Sequence, residues 1–100
     1  MSASVTISGD IVRVHLRGDF DFSSQEELGK ALDRAVETGA GQMEIDLEET
    51  TFIDSSVLRL LLRLNDRARG LGKSLLVTHC NERVIEIFRI GGFDQILDIR

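Results

Sequence analysis

Proline, tryptophan and tyrosine are missing from this chain, and cysteine occurs once. A single thiol, Cys80, cannot form an internal disulfide. It closes the apolar run Leu75-Leu76-Val77-Thr78-His79, so it reads as a small, semi-buried hydrophobe. No apolar run approaches the ~20 residues that span a bilayer. The start, Met1-Ser2-Ala3-Ser4, lacks the basic stretch and apolar block of a secretory signal, and a cytoplasmic location is expected. Bases are outnumbered, 12 against 17 acids, for a formal net charge of −5. That balance argues against nucleic acid as a partner and against attachment to an anionic membrane. The only two histidines, His15 and His79, both fall in strand patterns, without metal-ligand spacing, and read as satisfied or solvent-facing. Neither Gly-x-x-x-x-Gly-Lys-[Ser/Thr] nor Gly-x-Gly-x-x-Gly occurs, so no phosphate-cradling loop and no cofactor are expected.

What is present suits an ordinary globular domain. Hydrophobic residues make up 42% of 100 and charged residues 29%, which excludes wholesale disorder. The length predicts one domain, residues 1–100, with one modest core. Val5 and Ile7, then Ile11, Val12, Val14 and Leu16, alternate about Gly9-Asp10 and predict a hairpin. Residues 18–22 read as a loop carrying Asp19 and Asp21. Ser23 or Ser24 is a natural cap for a helix whose apolar face is Leu28, Ala31, Leu32, Ala35 and Val36. Met43, Ile45 and Leu47 mark a third strand, followed by a loop at 49–54. A second helix over 57–71 carries Val57, Leu58, Leu60, Leu61, Leu62, Leu64, Ala68 and Leu71, with Arg59, Arg63, Asp66, Arg67 and Arg69 as its wet positions. It stops at Gly70-Leu71-Gly72. Leu75-Leu76-Val77 predicts a buried strand, Asn81 the cap of a third helix, and Ile96, Leu97 and Ile99 a last short strand. The order β-β-α-β-α-β-α-β implies an α/β fold with a single mixed sheet: an antiparallel opening pair, then parallel strands joined by helices.

One stretch carries chemistry: Thr51-Phe52-Ile53-Asp54-Ser55-Ser56-Val57-Leu58. It places a carboxylate and two hydroxyls where a loop becomes a helix. A helix N-terminus has free N–H groups and a partial positive charge, and can receive a phosphate. Ser55 reads as a hydroxyl placed for modification, or as a plain helix cap. Asp54 is an equally good cap, which would leave Ser55 as the first exposed hydroxyl. The residue types do not separate these readings.

Three stretches together resemble the STAS domains, in particular bacterial anti-sigma factor antagonists. Phe52-Ile53-Asp54-Ser55-Ser56-Val57-Leu58 is similar to the family's signature before its Leu-rich helix. Leu16-Arg17-Gly18-Asp19-Phe20-Asp21 resembles its early Leu-x-Gly-Glu-Leu-Asp segment, and 84–93 resembles its late helix and Gly-Phe exit. The resemblance implies the STAS fold and a switchable binding module, not an enzyme. In such antagonists the serine after the Asp, Ser55 here, is phosphorylated by an ATP-binding serine kinase that is also the anti-sigma factor. Unphosphorylated, the domain binds that kinase; phosphorylated, it releases it, and a phosphatase resets it. Asp19, Asp21, Asp54, Ser56 and Val57 become partner-contact candidates, and a monomer is the simplest state. Val57 stands where the family has Gly, so its β-branched side chain is expected to crowd an approaching partner. The sequence also ends at Arg100, where many antagonists continue into a further helix. That keeps a rival reading open, an accessory subunit of a bacterial lipid-transport ATPase complex. Other rivals fare worse: Ser55 as an enzyme nucleophile has no histidine nearby in sequence, and nucleotide binding has no loop to support it.

The switch is sound electrostatically. A phosphoryl group adds about −1.5 to −2 charges. At about 5 Å from a partner carboxylate it meets roughly 2 to 7 kcal/mol of repulsion for dielectric values of ~80 to ~20, and about 1.4 kcal/mol is tenfold in affinity. The helix N-terminus is expected to accept the phosphate without backbone change.

Overall fold

The computed structural model describes all residues 1–100. Strands β1 (Ser2–Ser8) and β2 (Ile11–Phe20) pair antiparallel, from Ser8 with Ile11 to Ser2 with Arg17. Gly9 turns the hairpin at φ +60°, a value open to glycine without strain. A 3₁₀ turn (Phe22–Ser24) leads into α1 (Gln25–Val36). Then come β3 (Gln42–Asp46), β4 (Thr50–Ile53), α2 (Ser55–Gly70), β5 (Ser74–Thr78), α3 (Glu82–Ile90), a second 3₁₀ turn (Phe93–Gln95) and β6 (Asp98–Ile99). The sheet order is β1-β2-β3-β5-β6, antiparallel only at β1–β2. This is the mixed α/β sheet that alternating strands and helices predict.

Alternation along the strands divides the sheet into two faces. Val12, Val14, Leu16, Met43, Ile45, Leu75 and Val77 are buried on one face. There α1 packs on β1 and β2, α2 packs on β5, and the two helices pack on each other, while α3 covers β4. The α1 side chains that reach this core are the five the periodicity picks out. In α2 they are Val57, Leu58, Leu61, Leu64, Asn65 and Ala68, with Leu60 and Leu62 half-buried, and Leu71, the C-cap just past the helix, is exposed. Seven leucines and valines cannot all fit one stripe at 100° per residue. Arg13, His15, Glu44 and Asp46 are half-buried on the other face. No helix is long and apolar enough to cross a membrane.

The structure corrects several expectations. The stretch 49–54 is not a loop, since Thr50–Ile53 is a strand parallel to the end of β2. Its four residues are too few to show alternation, though Thr-Thr-Phe-Ile is rich in strand-forming residues. The segment 18–20, also read as loop, continues β2 to Phe20, with a register shift between Gly18 and Asp19. Gly18 sits at φ +91°, and a Cβ there would lie 3.3 Å from the Met1 backbone, so glycine makes the bend where β1 begins. Neither Ser23 nor Ser24 caps α1 through its side chain. The last strand is only Asp98–Ile99, with Ile96 exposed ahead of it. His79 lies beyond β5 in the left-handed conformation, φ +59°, rather than in a strand. Asn81 does cap α3, its Oδ1 accepting the Val84 N–H at 2.8 Å.

Candidate functional site

Two parallel strand ends build the site. Phe20 of β2 pairs with Ile53 of β4, both fully buried. Asp21 and Asp54 are therefore matched, each the first residue past its strand. Each caps the helical segment directly after it. The Asp21 carboxylate accepts the Ser23 N–H at 2.9 Å and the Ser23 hydroxyl at 2.5 Å, and Ser24 Oγ returns to accept the Asp21 N–H at 3.1 Å. This capping box fixes the 3₁₀ turn and assigns Ser24 its role.

Asp54 is the residue that caps α2. Its Oδ1 accepts the N–H groups of Ser56 at 3.0 Å and Val57 at 3.1 Å, and the Ser56 hydroxyl at 2.5 Å. Its Oδ2 accepts the Phe22 N–H at 3.1 Å, tying the 3₁₀ turn to the helix start. Burial pushes its pKa up, but hydrogen bonds from the Ser56 hydroxyl and the Val57, Ser56 and Phe22 amides outweigh that, holding the carboxyl below its usual range. The Asp21 carboxyl is also lowered, chiefly by the Ser23 hydroxyl.

Ser55 is then the first helical residue and is exposed, and its hydroxyl makes no hydrogen bond within the chain. Ser56, by contrast, is half-buried with its hydroxyl held by Asp54. Two of the N–H groups expected to receive a phosphate, those of Ser56 and Val57, are not free, because the Asp54 carboxylate already accepts them. A phosphoryl group on Ser55 would sit beside that carboxylate, not in an empty anion cradle.

Asp19, exposed at the end of β2 and paired with Phe52, accepts a hydrogen bond from the Thr51 hydroxyl. The site thus brings together Asp19, Asp21, Asp54, Ser55 and Ser56. Val57 is the exception: its side chain is fully buried, so it cannot crowd a partner, and the expectation that it would is corrected. A helix residue two positions past an exposed Ser55 turns by about 200°, into the core. Two surface residues escape the sequence reading. Phe22 is 74% exposed and Phe52 40%, large apolar surfaces flanking the aspartates. The signal for Phe22 is its place between Asp21 and Ser23-Ser24, outside every apolar stripe.

Elsewhere, burial raises the Cys80 thiol to about 11 and keeps it protonated, in line with a semi-buried hydrophobe.

Comparison with known proteins assigns the chain to a family. The family described as Mlab, STAS domain, matches residues 3–98. A STAS-domain containing protein of Pseudomonas aeruginosa (strain UCBPP-PA14) is 29% identical over 99 residues, 99% of this chain and 97% of its own. The anti-sigma-B factor antagonist of Bacillus subtilis (strain 168) is 30% identical over 88 residues, 88% of this chain and 80% of its own. The crystal structure of an anti-sigma factor antagonist from Mycobacterium paratuberculosis superposes with a TM-score of 0.90 at 18% identity, covering 98% of this chain and 83% of that one. The chain belongs to the STAS-domain family and, by its likeness to the Bacillus protein, to the anti-sigma factor antagonists within it.

Proposed function

We propose that this protein is a partner-switching anti-sigma factor antagonist whose switch is phosphorylation of Ser55. The observation that carries the reading is the division of labour at the start of α2. Asp54 caps the helix and Ser56 is held by Asp54, which leaves the Ser55 hydroxyl exposed and unengaged. A serine serving as the cap would be occupied, and a kinase would have to break the cap to reach it.

In this account the unphosphorylated surface binds an anti-sigma factor that is also an ATP-binding serine kinase, and the sigma factor goes free. Phe22 and Phe52 supply apolar anchors, and Asp19 and Asp21 supply charge around them. Asp54 and Ser56 shape the surface from beneath. Phosphorylation places about −1.5 to −2 charges beside Asp54 and Asp21, at the centre of the contact. The partner is expelled by repulsion and by the size of the group, with no refolding of the domain required. A phosphatase restores the free hydroxyl. The protein is a kinase substrate rather than an enzyme, and it works as a cytoplasmic monomer.

The test is binding of the purified partner kinase to three forms: native, Ser55→Ala and Ser55-phosphorylated. Native and Ser55→Ala bind alike, and the phosphorylated form binds more than tenfold more weakly. Equal binding by all three removes the switch.

A further inference from the structure

The face of the sheet left free by the helices gathers groups far apart in the chain. In β2, β3 and β5, His15, Asp46 and Thr78 stand abreast, as do Arg13, Glu44 and Leu76. His79 comes next at φ +59°, and its Nδ1 reaches Asp46 Oδ1 at 3.0 Å. His15 Nδ1 meets the other oxygen, Oδ2, at 3.1 Å. Ligand atoms of Glu44, Asp46 and His79 all lie within 4.8 Å of one another. The two carboxylate side chains are only 17% and 13% exposed, whereas His79 is 57% exposed. The cluster is therefore rooted in the sheet and open to solvent on one side.

We propose that Glu44, Asp46 and His79 bind a first-row divalent transition metal ion of the Zn²⁺ type. One imidazole with two carboxylates is a mixed nitrogen and oxygen set, which favours such ions over Mg²⁺ or Ca²⁺, whose preferred ligands are all oxygen. Bonds of about 2.0–2.2 Å in tetrahedral geometry separate donors by about 3.3 Å. The ligand atoms, now within 4.8 Å of one another, draw in to that value when the ion binds. The ion takes the place of the ring proton that His79 Nδ1 directs at Asp46, and the ring passes to its Nε2–H tautomer. The outer supports are in place: His15 on the second Asp46 oxygen, and the Thr78 hydroxyl donating to Glu44 at 3.1 Å. A fourth position stays open to water. Arg13 is the competitor, its Nε 3.3 Å from Glu44 Oε2, and a metal at Glu44 must displace it.

The experiment is calorimetric titration of untagged, chelator-stripped full chain with Zn²⁺, with Co²⁺ absorption as the readout of coordination geometry. One equivalent binds saturably, in the micromolar range, and Co²⁺ gives a tetrahedral spectrum. His79→Asn, chosen because Asn tolerates the left-handed backbone, weakens binding by about tenfold or more. Arg13→Gln, which frees Glu44, tightens binding several-fold, and Ser55→Ala leaves it unchanged. Absence of saturable binding overturns the site. So does unaltered affinity in His79→Asn, or failure of Arg13→Gln to tighten it.

Discussion

Asp54 accepts the Phe22 N–H at 3.1 Å through one carboxylate oxygen while the other closes the first turn of α2. One side chain thus holds both the helix that begins at Ser55 and the turn that begins after Asp21. The surface around Ser55 is fixed before any partner arrives.

Replacing that side chain separates its two duties. Asp54→Ala costs about 1–2 kcal/mol in urea unfolding, the ordinary loss of a good cap. Asp54→Asn costs less, because the amide oxygen still caps α2. Its NH₂ group cannot accept the Phe22 N–H, so Phe22 amide exchange accelerates in both variants. Protection of Phe22 unchanged in Asp54→Asn would show that the tie is not made.

The same carboxylate sets an acid dependence. Its folded pKa lies below the ordinary aspartate value of 3.8. Ionised Asp54 therefore contributes stability that is fully present above about pH 5 and lost as pH falls through the folded pKa. The stability gap between native protein and Asp54→Ala stays constant above about pH 5 and narrows below about pH 4. Unfolding midpoints measured across that range check it, and a gap that widens in acid would contradict the assignment.

The buried position of Val57 decides the effect of Val57→Gly. The variant loses a fully buried valine and gains a helical glycine, so it is less stable by roughly 2 to 4 kcal/mol. Chemical unfolding reads this directly. A stable variant with a changed partner affinity would return Val57 to the contact surface.

Asn65 is 5% exposed, and its Nδ2 has no hydrogen-bond partner. A buried, unmade hydrogen bond is a standing cost. Asn65→Leu, with the same branching and number of side-chain heavy atoms, raises stability by about 1 kcal/mol. A loss in thermal or urea unfolding would mean that the amide is satisfied in solution.

Much of this is legible in the residues, and the gaps have physical causes. The apolar face of α1 can be read because a 3.6-residue period repeats over three turns. β4 cannot, because four residues flanked by Glu48-Glu49 and Asp54 show no period, and their pairing partner at Gly18–Phe20 is some 30 positions away. The stretch 52–58 announces a site, yet Asp54 and Ser55 are both natural caps, and only the hydrogen bonds tell them apart. Val57 defeats the sequence reading because a position in a motif says nothing of which way its side chain turns. The meeting of His15, Asp46 and His79 depends on strand register and one left-handed residue, neither of which leaves a local trace.

The central claim rests on Ser55, and the most direct test is intact mass of the protein isolated from its own cells, alongside Ser55→Ala. The account predicts a fraction heavier by one phosphoryl group in the native protein and none in Ser55→Ala. No phosphate under growth and stress alike, or phosphate that persists in Ser55→Ala, would contradict it.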